Sequence, residues 1–276
     1  MRRARRFLAV GGILAVGLSV ASGLEAATQD GGRDVIRSVG ALEAAVDSAD
    51  GVARFEFAAR PGVWGNGRTW NFSRSGDDGR AGSPGHYCDG CTNGPIRVTV
   101  RVDAGVVTGV HSQVGGRWRE DGRDLGSVAP GAAADYLLGL VERREGELDA
   151  DSREEALQAA VSAPAGEIWP RLLNIARNRG QETDVRKTAL FWTAHEAGVR
   201  AADDIEDIAV ATDEETEVQE AAVFALTQLP DERGTEALLR LARENRNPDI
   251  VRSVYFWLGQ REDPRVLALF EEVLLD

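Results

Sequence analysis

The residues best equipped for chemistry lie together. His86 is followed by Cys88-Asp89-Gly90-Cys91, which holds both cysteines of the chain. Two thiols at this spacing admit three readings. A disulfide is favoured in an exported chain, because an oxidising compartment pairs closely spaced cysteines. Gly90 permits the tight turn, although so small a loop removes little chain entropy. A metal site would use His86, Cys88 and Cys91, with water, Asp77, Asp78, Asp89 or His111 as a fourth ligand. A redox-active pair ranks last, because such pairs open a helix in a thioredoxin-like α/β unit and no such pattern surrounds these residues. Covalent haem attachment is excluded, since no His directly follows Cys91.

Other reactive side chains lack a supporting pattern. Of the three histidines, His111 falls in an expected strand and His195 in an expected helix, and both read as structural. Ser73, Ser75 and Ser83 have no nucleophile-elbow context. Gly65, Gly67, Gly76 and Gly79 do not form a phosphate-binding fingerprint. The acidic runs Asp203-Asp204 and Asp213-Glu214-Glu215 read as solvated surface. No catalytic residue and no cofactor is assigned, so the expectation is a non-enzymatic protein. The alternative is an enzyme or a redox or metal sensor centred on His86, Cys88 and Cys91.

The elements that must position these residues divide the 276-residue chain in two. Arg2, Arg3, Arg5 and Arg6 precede an uncharged run from Phe7 to Leu24, and small residues follow at Ala26 and Ala27. That order is a secretory signal over residues 1–26, which places the protein in the periplasm or outside the cell. An uncleaved anchor over residues 7–24 is the alternative, the run only just reaching membrane-spanning length. The net charge of −13 disfavours nucleic acid and anionic membrane as partners beyond that signal or anchor.

Residues 27–50 read as a linker or a short helix, with Val35, Val39, Leu42 and Val46 at helical spacing. Residues 51–128 read as a small antiparallel β-rich domain. Ile96, Val98, Val100 and Val102 alternate with polar residues, and Asp103-Ala104-Gly105 turns the chain into a return strand over 106–114. Trp64, Trp70 and Trp118 are candidate core aromatics. Pro130 opens a connecting helix within 129–150.

From residue 151 apolar residues recur every 33 positions. Ile175, Ile208, Leu241 and Leu274 form one column, Leu172, Ile205 and Leu238 a second, and Leu190, Val223 and Phe256 a third. Phe191, Phe224 and Trp257 form a fourth, which supplies bulk. A fixed period of this size marks a solenoid whose units bury their faces only by stacking. First helices are expected over 151–161, 184–197, 217–229 and 249–259, and second helices over 167–178, 203–211, 234–244 and 264–275. Breaks are expected at Pro164-Ala165-Gly166, Gly198, Pro230, Gly234, Pro248 and Pro264. The fold class is therefore α+β: the β-rich domain, then an α-solenoid of about four helical hairpins over 151–276.

Two of these units open on Asp184-Val185-Arg186 and Asp249-Ile250-Val251-Arg252. Glu217-Val218-Gln219 is a degraded copy, and Ala-rich helices follow each. This resembles the short HEAT repeat of phycobilisome-lyase-like HEAT proteins. The resemblance implies a scaffold that presents a surface to another protein, and it does not imply bilin chemistry. Arg171, Asp207 and Arg240, on the second helices, are the expected partner surface.

Overall fold

The computed structural model describes residues 35–72, 89–143, 148–230 and 232–275. His86, Cys88 and the 1–26 and 7–24 segments lie outside the described residues. A mixed sheet with two helices on it leads into a row of helix pairs.

Helix α1 spans Val39–Asp47 and starts where the Ser38 side chain accepts a hydrogen bond from the Ala41 N–H at 3.3 Å. It buries Leu42 and Val46, and it packs on α2 and β4. The strands are β1 (Gly51–Phe57), β2 (Val63–Gly65), β3 (Trp70–Phe72), β4 (Ile96–Asp103), β5 (Val106–Val114) and β6 (Arg123–Ser127). The alternating residues of β4 face inward as expected, and Ile96, Val98, Val100 and Val102 are all buried. The β4–β5 turn places Ala104 at φ 50° and Gly105 at φ 80°, the left-handed pair of a two-residue hairpin loop.

The sheet is not purely antiparallel. Its order is β5-β4-β1-β6, and β6 runs parallel to β1, with Ala53 opposite Arg123. A parallel pair needs a long crossover, and here the chain between β1 and β6 supplies it. Strands β2 and β3 form a separate two-stranded sheet. The tryptophans expected in the core are only half-buried, whereas Phe55, Phe57 and Val114 fill the sheet interior. Trp118 lies between the guanidiniums of Arg54 and Arg97, 5.2 and 5.3 Å from its ring centre.

Helix α2 (Pro130–Glu142) starts on a proline and is buried along most of its length. Its Tyr136 meets Phe55 edge-on at 6.1 Å, and burial pushes the phenol pKa upward. Four helix pairs follow: α3 (Ala150–Val161) with α4 (Trp169–Arg177), α5 (Thr183–Ala197) with α6 (Ala202–Val210), α7 (Thr216–Thr227) with α8 (Arg233–Glu244), and α9 (Pro248–Leu258) with α10 (Pro264–Leu275). The first helices pack in sequence, α3 on α5, α5 on α7 and α7 on α9. Helix α3 also lies on β5, so the buried core runs from the sheet into the helices.

Gly234 lies inside α8 instead of breaking the chain before it. A β-carbon there would meet the Leu226 carbonyl oxygen at 2.3 Å, so glycine allows α8 to approach α7. The period-33 columns also differ in burial. Leu172, Ile175, Leu190, Ile205, Ile208, Val223, Leu238 and Leu241 are buried, while Phe191, Phe224 and Trp257 are half-buried. Phe256 and Leu274 are exposed and do not belong to the core, because no further unit covers them among the described residues.

A buried polar column keeps the same period. Arg153 donates to the carbonyls of Val141 and Arg143 at 3.0 and 3.2 Å. Arg186 donates to the Ala176 carbonyl at 2.8 Å, and Gln219 to the Ala209 carbonyl at 3.2 Å. Each donor satisfies carbonyls at the end of the preceding helix, which have no partner within that helix. Arg186 is fully buried and also forks onto Glu214 at 3.0 and 2.5 Å. Burial would raise the Glu214 pKa, but the hydrogen bonds from Arg186 and the Glu215 N–H outweigh it and lower the value.

Arg186→Met leaves the Glu214 charge buried and is expected to destabilise the chain by about 3–5 kcal/mol in urea unfolding. Gln219→Ala is expected to cost less, about 1–3 kcal/mol. Because the folded Glu214 pKa is depressed, its stabilisation is present above the unfolded value of roughly 4.3 and is lost as pH falls through the lower folded value. Urea titrations below pH ~5 should therefore show a steeper loss of stability for wild type than for Arg186→Met/Glu214→Gln.

Candidate functional site

The expected partner surface on the second helices is largely occupied by the protein's own charges. Arg171 pairs with Asp135 at 2.9 Å and with Glu142 at 2.7 Å. The hydrogen bonds that Arg171 donates to Glu142 hold the guanidinium pKa above its usual value despite partial burial. Arg240 forks onto Glu206, and Arg177 pairs with Asp204 at 2.7 Å. Arg233 reaches Asp203, and Arg265 approaches Glu232 at 3.6 Å. These contacts link α2 to α4, α4 to α6, α6 to α8 and α8 to α10. Asp207 is exposed. Half-exposed pairs of this kind contribute ~0–1 kcal/mol each. Their effect here is to align successive second helices.

The first helices carry a different surface. Phe191 on α5 and Phe224 on α7 stack with ring centres 6.2 Å apart and planes 8° from parallel. Trp257 on α9 continues the row, 5.1 Å from Phe224. The three residues are spaced by 33, so each helix presents its aromatic at the same level. They line an open groove of about 500 Å³ with Lys187, Thr188, Glu217, Glu220, Ala221 and Ser253. Lys187 is engaged by Asp184 at 2.9 Å. Glu217 and Glu220 are exposed, and neither forms an ion pair with a described residue. The groove thus offers ring faces and exposed carboxylates, with Lys187 near enough to Glu217 to feel its charge. Its lining includes hydroxyls but neither histidine nor cysteine.

The row extends toward the sheet. Trp192, one residue after Phe191, meets Phe72 at 5.4 Å and Trp70 at 5.9 Å, both edge-on. His195 packs on Phe191 and Phe72. Arg60 covers the Phe72 ring at 4.5 Å and pairs with Glu196 at 2.5 Å. The β2–β3 hairpin is therefore fastened to α5 by aromatic packing. From sequence Trp70 is a candidate core aromatic of the sheet. Its alternation with Phe72 was visible, but nothing local to either residue indicates Trp192.

His111 belongs to a second polar cluster, between β5 and α3. Its Nδ1 lies 3.3 Å from Glu155, and Arg119 donates to its Nε2 at 3.0 Å. Ser112 donates its hydroxyl to Glu155 at 2.7 Å. An Nε2 that accepts from Arg119 requires the proton on Nδ1, facing Glu155. The Ser112 proton is directed to the carboxylate and not to the imidazole, so the three do not form a serine–histidine relay. They join the sheet to α3. Cys91 is buried next to the bridge between Gly65 and Thr92. Among the described residues, no three His, Cys, Asp or Glu side chains are grouped as metal ligands. No helix among them is long and apolar enough to cross a membrane.

Residues 203–276 match the family described as HEAT repeats, a span that covers α6 to α10. No curated protein matches the chain. HEAT repeats generally mediate protein interaction, and the regular pairing of α5 to α10 fits helical repeats. The C-terminal part of this chain is a HEAT-repeat segment.

Proposed function

We propose that the chain is an exported, non-enzymatic protein-binding module. In this reading α3 to α10 form a HEAT-type solenoid that serves as a scaffold, and the partner docks in the aromatic groove across α5, α7 and α9. The single observation that carries the reading is that groove. Three aromatics on three successive first helices are left half-exposed at one level, beside two exposed carboxylates. Aromatic side chains are the residues that most often dominate binding energy at protein interfaces. The second-helix face, by contrast, already pairs most of its own charge.

The partner presents a basic segment. Lysine or arginine side chains can lay their charge over a ring face, worth about 0.5–2 kcal/mol each, and reach Glu217 or Glu220. The net charge of −13 favours the same partner through long-range attraction. Export rests on the basic, apolar and small order of residues 2–27. A disulfide between Cys88 and Cys91 goes with it, closing the loop ahead of the β4 strand.

Phe224→Ala/Trp257→Ala is expected to weaken capture of a partner from an exported-protein extract by about tenfold or more. Glu217→Gln/Glu220→Gln should reduce both the affinity and its salt dependence. Equal capture by wild type and the aromatic variant, with unchanged circular dichroism, would sink the groove as the docking site. Trp192→Ala, which empties a buried position, should cost about 3–5 kcal/mol of stability. Phe224→Ala, at a half-exposed position, should cost no more than about 1–2 kcal/mol. Thiol titration with elemental analysis of the purified chain tests the cysteines. The disulfide predicts no free thiol and no metal, whereas stoichiometric zinc or iron would favour the sensor reading.

A further inference from the structure

A cavity of about 240 Å³ lies between the β2–β3 hairpin, β5 and α3, and it shares no residue with the aromatic groove. Its walls are held in place by contacts of their own. The Gly67 N–H donates to the Val114 carbonyl at 2.8 Å, and Arg119 donates to the Gly67 carbonyl at 3.2 Å, which fixes the hairpin loop against β5. The Asn66 side chain accepts from the N–H groups of Arg68 and Thr69 at 3.1 and 3.0 Å, so the loop is ordered from within. On the α3 side, Glu155 Oε2 accepts from the Ser112 N–H and hydroxyl, and Oε1 faces His111. What these contacts leave over is specific. The Arg68 guanidinium, the Thr69 hydroxyl and the Gln158 amide line the cavity without a hydrogen bond or ion pair to any described residue. Glu155 Oε1 meets only His111 and keeps acceptor capacity. Half-exposed Trp70 adds an apolar patch to this polar lining.

These remaining groups select the ligand. The volume equals that of roughly eight waters at ~30 Å³ each, which suits one sugar ring and not a nucleotide or a folded segment. Arg68 and Arg119 outnumber Glu155, so the lining is positive within a chain of net charge −13, and a cation is disfavoured. A phosphate is poorly matched as well. It needs several charge-assisted donors, and the loop N–H groups that would form an anion nest are already taken by Asn66. A single unpaired guanidinium matches a single carboxylate, through two parallel hydrogen bonds. The Gln158 amide donates and accepts, as a ring hydroxyl does, and Thr69 and Glu155 add a hydroxyl and an acceptor. An aromatic ring beside a few converging polar groups is the usual make-up of a small-molecule site. We infer that this cavity binds a sugar acid of the hexuronate class, with its carboxylate on Arg68, its hydroxyls on Gln158, Thr69 and Glu155, and its apolar ring edge against Trp70.

Calorimetric titration of the purified full-length chain tests this, with glucuronate, galacturonate, glucose, acetate and phosphate as separate probes. At least one of the two uronates should bind once per chain with a Kd of about 1 mM or tighter, the range open to a ligand of this size. Glucose, which lacks the carboxylate, and acetate, which lacks the ring, should each bind at least about tenfold more weakly. Arg68→Ala should reduce uronate binding to the level of glucose, and Gln158→Ala should weaken uronate and glucose alike. Both variants should keep the wild-type circular dichroism, since neither side chain holds a described contact. No saturable binding of either uronate at about 20 mM, well above the expected Kd, would overturn the inference. So would phosphate or acetate binding as tightly as the uronate, which would mark a bare anion site. Uronate affinity unchanged in both variants would place the binding elsewhere and overturn it too.

Discussion

A pair of short helices cannot bury its own apolar face, and the helical part of this protein is arranged around that constraint. Fully burying a leucine or isoleucine is worth about 1.5–3 kcal/mol, but only if a neighbour supplies the other side of the contact. Here the neighbour is the next unit. Leu157, Leu190 and Val223 become buried as α3, α5, α7 and α9 pack in turn. At the start of the row the same requirement is met by different material: α2 and the β5 strand lie against α3. The sheet thus serves as the first neighbour of the array.

Stacking places backbone groups in the interior as well as side chains, and these must be satisfied. Carbonyls at the ends of α2, α4 and α6 would be buried without partners. Arg153, Arg186 and Gln219 reach them from successive first helices. This gives a physical reason for the Arg that follows the acidic opening of a unit. It also explains why Gln can stand in its place: an amide N–H donates to a carbonyl as a guanidinium does, without a buried charge. Arg186, which is charged, comes with Glu214.

The two faces of the row then have different characters. On the second helices, arginines and carboxylates of successive units pair with one another, leaving little unmatched charge. On the first helices, Phe191, Phe224 and Trp257 sit at one level beside Glu217 and Glu220, which have no such partners. Ring stacking along the row holds these aromatics at one level along an open groove.

Local order in the sequence was enough for the repeat helices to within a few residues, the 33-residue columns and the β4–β5 hairpin. Helices and tight hairpins are specified by neighbours a few residues apart, through periodicity, capping residues such as Ser38 and the left-handed Ala104-Gly105 turn. The repeat itself was legible because each unit meets the same packing requirement. What covers each position was not legible. Phe256 and Leu274 keep the period of Val223 and Leu241, yet they stand in solvent, because burial depends on the unit beyond and not on the residue. Tertiary structure likewise decided that β6 runs parallel beside β1, that Trp70 meets Trp192 across more than a hundred residues, and that Gly234 serves a close approach and not a break. It also decided which helical face keeps its charges paired. Arg171 and Arg240 read as exposed charge from sequence, and only their distances to Glu142 and Glu206 show that they are already engaged.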